Sequence, residues 1–341
     1  MVQVKLAALL AVAGLAAHVS AQDKLNKPPL LPNLDMLWEG LEKKLTTPKT
    51  EIKQWKDNII SEDCKTMAER EGVSPNSMIQ YEVTYGDCKM PWLLCAAKDH
   101  PSNMKDIAKF FGMVPAKLRQ ATKHAAFFKP KTAKSTAAAY ALGDQLAFMM
   151  DPKGIGIFLH EVSHTADLGA KDSHFGKVEG RFTDNKIWTD AIQKDQAVSD
   201  NYGQNSKHEN LAQYAGLVLY DILVDGGLKK IVKDVDKIKN QIDAFKTATR
   251  ECRWGGNMLK LDQTCTKRPP NAKPIDLGAK PEDKKDDKKD DKKDDKEGKG
   301  KGKRKLRFRR DARSMFWPRA SGSADSVEKR DLPTNCGLPS A

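Results

Sequence analysis

Gly154-Ile-Gly-Ile-Phe-Leu-His160-Glu161-Val-Ser-His164-Thr-Ala-Asp167-Leu-Gly169 contains one His-Glu-x-x-His run. On a helix, residues four apart lie one above the other, so both imidazoles point the same way and can share one Zn2+ ion at about 2.0–2.1 Å. Glu161 projects beside them, placed to take a proton from zinc-bound water, whose pKa the metal lowers toward about 7. Ile155, Ile157, Phe158, Leu159 and Val162 are expected to bury the rest of the helix, and Gly169 to end it. The rival explanation is a helix whose histidines are surface or core-edge residues.

A catalytic zinc needs a third protein ligand and one open position. Three candidates lie downstream. Glu209 opens a helix expected from about Lys207 to Val224, stopped by Gly226-Gly227. Leu211, Ala215, Val218 and Ile222 form its buried stripe, and Glu209, Ala212, Gln213 and Gly216 its flank. Those small residues predict a close approach to the His160 helix. Ser206-x-x-Glu209 also reads as a capping box, in which Glu209 serves the backbone instead. The second candidate is Asp172 and the third His174. Asp172-x-x-Phe175-Gly176 is similar to the Asp-x-x-Tyr-Gly element of the deuterolysin-like zinc proteases, whose third ligand is that Asp; here Gly169-Ala170 replaces their Gly-Thr. His174 lies ten residues past His164, which departs from metzincin spacing.

Outward from this core, the ends of the chain define its setting. Lys5, an apolar run from Leu6 to Ala17 and Val19-Ser20-Ala21 predict a signal peptide over 1–21, hence a secreted, extracellular protein. The apolar run is too short for a membrane span, which takes about 20 residues. Residues 22–277 read as one domain. Residues 278–341 read as a disordered tail, first Lys/Asp-rich and then basic with interleaved Phe308, Phe316 and Trp317. Of the 341 residues' net charge of +13, seven units fall on residues 280–341, which carry 20 Lys and Arg against 13 Asp and Glu. That location favours a solvated processing tail, with dibasic pairs at Arg309-Arg310 and Lys329-Arg330, or attachment to an anionic wall or membrane surface, and no specific nucleic-acid partner. Six cysteines in an exported chain predict disulfides, with Cys252–Cys265 the favoured pair because they are near neighbours.

Within the domain, Leu37-Trp38-Leu41 and Ile52-Trp55-Ile59 have helical spacing, predicting two helices across Asp35 to Ile60 broken near Pro48. Gln80 to Leu94 alternates and predicts strands around a Gly86-Asp87 turn. Met104 to Met113 reads as a helix and Ala137 to Met149 as a strand beside the site. The expected fold class is α+β: a zincin-like domain with a small sheet beside the metal-bearing helix.

The export signal, Trp92 between a pair of cysteines, the His-Glu-x-x-His run and Ser199-Asp-x-Tyr202 seven residues before Glu209-x-x-Ala212 together resemble the fungal conidiation-specific protein 13 family, over most of Gln22 to Lys267. The Tyr202, Glu209 and Ala212 arrangement is also similar to the catalytic domain of anthrax lethal factor and other gluzincins. That resemblance implies His160, His164 and Glu209 as zinc ligands, Glu161 as general base and Tyr202 as donor to the oxyanion. By its neighbours alone, Tyr202 beside Gly203 reads as a turn residue packed on the core. The functional expectation is a secreted zinc metalloendopeptidase acting on peptide or protein substrates. The alternative is a non-catalytic zinc-binding or cell-wall protein linked to conidiation.

Overall fold

A computed structural model describes residues 24–168 and 172–278, all within one unit that extends to Glu282. The expected signal peptide, the basic stretch and dibasic pairs of the tail, and Gly169 lie outside the described residues. In chain order the strands are β1 (Pro29–Leu31), β2 (Thr50–Gln54), β3 (Ile59–Ser61), β4 (Met78–Tyr85), β5 (Trp92–Ala97), β6 (His124–Phe127), β7 (Ala139–Leu142), β8 (Gln145–Phe148), β9 (Val198–Asp200) and β10 (Pro274–Asp276). The helices are α1 (Asp35–Glu42), α2 (Glu62–Arg70), α3 (Met104–Met113), α4 (Ala116–Arg119), α5 (Ile155–Leu168), α6 (Lys186–Lys194), α7 (Lys207–Leu223) and α8 (Lys239–Arg250). The class is mixed α+β.

The main sheet has six strands in the order β2-β4-β5-β6-β8-β7. Its centre is parallel, β5 to β6 to β8, and both margins are antiparallel. Because strand side chains alternate between faces, one sequence stretch feeds two cores. Trp92, Leu94, Phe127, Leu146 and Phe148 enter the larger core with α1, α3, α5 and α7. Cys95, Ala97, Ala126 and Ala147 enter the smaller one, which α2 and β3 cover. This two-faced burial explains why β5 and β6 are apolar at nearly every position.

The sequence reading holds for α1, α3, the β4–turn–β5 unit and α7, and fails in three places. The second helix expected before Ile60 is absent: Ile52 lies in β2, an edge strand set by pairing Ile52 with Val83, and Ile59 begins β3. Four of the five β2 residues are exposed, so no buried stripe dictated its conformation. The strand expected over Ala137 to Met149 is a hairpin, β7 and β8, turning at Gly143, whose φ of +60° favours glycine. The favoured disulfide is also corrected. Cys64 pairs with Cys95 and Cys88 with Cys265, across 31 and 177 residues, while Cys252 is buried and belongs to neither bridge. The first bridge ties α2 to β5; the second ties the turn before β5 to the C-terminal segment. Cys88 and Cys95, on either side of Trp92, are thus not joined to each other.

Trp92 anchors the larger core. It is fully buried, its Nε1 donates to the Thr122 carbonyl at 2.9 Å, and the Arg119 and Arg268 guanidiniums lie 4.8 and 3.9 Å from its ring. Trp92→Ala would leave a large cavity between two buried cations, so we expect a loss of about 3–5 kcal/mol, read as a lowered urea midpoint with an unchanged m-value.

Candidate metal centre

α5 owes its start to a side chain from another helix. Glu42 of α1 accepts from Ile155 N at 3.2 Å, and a Cβ on Gly154 (φ +92°) would sit 3.0 Å from the same carboxylate. Phe158, Leu159, Val162 and Ala166 anchor the helix in the larger core, and Ile157 is only partly buried. The opposite face carries His160 and His164 with their Nε2 atoms 3.1 Å apart.

α7 brings the third group. Ser206 Oγ accepts from Glu209 N at 3.1 Å, so the serine half of the expected capping box forms. The Glu209 carboxylate turns instead to the histidines, with Oε2 at 3.1 Å from His160 Nε2 and 3.2 Å from His164 Nε2. Leu211, Ala215 and Val218 are buried as expected, whereas Ile222 is 52% exposed. The small residues on the two helices make room for a third element. A Cβ on Gly156 or Gly216 would stand 2.6 or 2.7 Å from the Trp38 indole, which wedges between α5 and α7.

Asp172 and His174 are placed elsewhere. Asp172 accepts from Gly180 N at 3.1 Å and faces Arg253 at 3.6 Å. The His174 ring lies against Trp254, tilted by 40° with centroids 3.7 Å apart; burial, then the Arg253 charge, push its pKa down to about 4. Neither belongs to the cluster of His160, His164 and Glu209, whose donor atoms all lie within 4.8 Å of one another.

A zinc ion with tetrahedral bonds of about 2.0–2.1 Å sets its ligand atoms about 3.3 Å apart. The three separations of 3.1, 3.1 and 3.2 Å fit that triangle. The protonation pattern fits as well. Asp200 Oδ2 accepts from Gln213 Nε2 at 2.7 Å, which orients the amide so that its oxygen faces His160 Nδ1 at 3.1 Å. An amide oxygen only accepts, so Nδ1 carries a proton, and Nε2, which faces Glu209, is the atom that would give up its own proton to take an ion at the centre. Glu161 is 4% exposed, and its Oε2 is a buried carboxylate oxygen with no hydrogen-bond partner.

Charge is tightly coupled here. Burial tends to raise the Glu209 carboxyl, but hydrogen bonds from both histidines outweigh it and hold the group below its ordinary value. For His160 burial acts downward, and the Glu209 hydrogen bond with the Glu161 and Glu209 charges brings the net shift upward. Burial pushes Glu161 up against the pull of the two histidines. Tyr202 is not packed on the core: the residue is 53% exposed, and its ring lies 5.5 Å from the His160 ring. Partial burial, then the nearby Glu209, Glu161 and Asp200 charges, raise its pKa to about 12, so it remains a donor. Asp200 Oδ1 also accepts from Gly203 N at 2.8 Å, tying the Tyr202 turn to the support of His160. The sequence places Gln213 on the flank of α7 and Asp200 within the Ser199-Asp-x-Tyr202 run, but gives neither a role at the site.

An α+β domain with two helix-borne histidines and a glutamate from a second helix is thus on hand. The family model for conidiation-specific protein Con-13 matches residues 31–294, and the chain belongs to that family. It is 27% identical over 211 residues to conidiation-specific protein 13 of Neurospora crassa, the alignment covering 60% of each chain. The family match runs past Lys267 into the Lys/Asp-rich stretch, farther than the motifs alone implied.

Proposed function

We propose that the chain is a secreted zinc metallopeptidase of zincin type serving conidiation. The observation that carries this reading is the convergence of His160 Nε2, His164 Nε2 and Glu209 Oε2 beside the unpartnered Glu161 Oε2. His160, His164 and Glu209 would hold the ion, with Gln213 and Asp200 fixing the His160 ring. Zinc bound there supplies Lewis acidity and makes water acidic enough to deprotonate near neutral pH. Glu161 Oε2 accepts that proton and returns it to the leaving amine. The Tyr202 hydroxyl donates to the oxygen on which negative charge develops. The two disulfides support an oxidising, extracellular setting.

The test is peptide cleavage by the purified chain before chelation, after it, and after zinc is restored. The reading predicts activity that is lost and then regained; cleavage indifferent to chelation ends it. A second reading is zinc capture without catalysis by a wall-associated protein linked to conidiation, whose basic tail meets an anionic surface; the relative's name, which states conidiation, agrees with its conidiation part. Zinc binding with no turnover on a broad peptide library selects that reading. In either case, Gln213→Ala should weaken zinc binding by about 10- to 100-fold with an unchanged far-UV spectrum, measured by competition with a chromophoric chelator.

A further inference from the structure

The histidine cluster lies where two cavities meet, and their chemistry differs. One, of about 410 Å³, reaches Arg181 and His208. The other, of about 320 Å³, is walled by Trp38, Ala137, Ala138, Gly156 and Ile157. Ala139, His160, Glu161 and Tyr202 line both. A chain lying across the centre would therefore place one flank against an apolar wall and the other against Arg181.

The charges at the second end are mostly committed. Lys207 Nζ meets Asp184 at 2.8 Å. Asp167 is spent on Thr183, accepting from its N at 3.2 Å and its Oγ1 at 2.6 Å. Thr183 has one hydroxyl proton, which goes to Asp167, so at 2.7 Å it accepts from His208 Nδ1. His208 Nε2 then has no hydrogen-bond partner among the described residues; the exposed Arg181 guanidinium makes no hydrogen bond or ion pair among them, and its charge is felt by Asp184, which Lys207 already holds. A fork of donors at the end of a cleft where the neighbouring Asp167 and Asp184 already have partners is suited to a carboxylate.

Resting on the metallopeptidase reading, we infer that the cleft selects peptides with an apolar side chain in the Trp38 cavity and a carboxylate at Arg181, one on each side of the scissile bond. The carboxylate is either an acidic side chain or a chain terminus.

Binding and turnover are measured separately. Fluorescein-labelled peptides with Leu-Glu, Glu-Leu, Leu-Leu, Leu-Lys or Lys-Leu at the centre, each with a free or amidated C-terminus, are titrated by anisotropy against the zinc-loaded full chain bearing Glu161→Gln. Wild-type turnover is followed in parallel. One order of the Leu/Glu pair should bind about three- to tenfold more tightly than Leu-Leu or either lysine peptide. Added to that background, Arg181→Glu should shift the preference to lysine and Arg181→Ala should abolish it. A glutamate preference that survives amidation assigns the carboxylate to the side chain; a preference of the same size for free over amidated C-termini, whatever the central pair, assigns it to the terminus. Preference in binding with no wild-type turnover keeps this inference and removes the peptidase. Turnover with neither preference, an Arg181→Glu variant that keeps whichever preference its parent shows, or no binding of any peptide overturns the inference.

Discussion

Glu161→Gln is expected to keep its zinc and lose its chemistry, with peptide turnover falling about 10²- to 10⁴-fold. The substitution preserves the size of a side chain that is 4% exposed and removes its charge and its capacity to accept a proton. Glu161 is absent from the set of three converging donor atoms, so metal content has no reason to change. Its Oε2 has no hydrogen-bond partner, so the amide breaks no existing bond at that oxygen. Turnover and zinc stoichiometry on the same preparation check this, and a variant with near-native turnover would remove Glu161 from the mechanism.

His164→Ala is expected to have the larger effect on the metal. It removes one of three converging donors and leaves His160 and Glu209 at 3.1 Å with nothing to complete the set. Zinc affinity should fall by well over the about 10- to 100-fold that loss of a supporting residue costs. Zinc retained through gel filtration should drop from near one equivalent to below about one tenth. Added zinc should raise the thermal midpoint of the wild type and leave that of the variant unmoved, because only a ligand that binds the folded state stabilises it. Equal midpoint shifts in both proteins would contradict the role given to His164.

The central helix and its partner were legible because each chemical signal coincided with a packing signal. The His160 to His164 spacing shares a helix with Phe158 and Val162, and Ser206 marks the start of the helix bearing Glu209. Whether Glu209 caps or turns inward was not legible, since both uses need the same residue at the same position. β2 was misread because Ile52 is spaced for a helix with Trp55 and Ile59, which lie beyond it, while its conformation is fixed by a ladder with β4. The disulfides join segments 31 and 177 residues apart, so nearness along the chain favoured the wrong partner for Cys265. The Trp38 wedge and the Asp200–Gln213 support arise only when α1, α5, α7 and the turn after β9 come together. No local periodicity records such a meeting.

Zinc-edge X-ray absorption on the full chain, purified without added metal, tests the centre most directly. The account predicts about one zinc per chain, bound by two imidazole nitrogens and carboxylate or water oxygens at about 2.0–2.2 Å. Less than about one tenth of an equivalent, or a sulfur shell at about 2.3 Å, would contradict it.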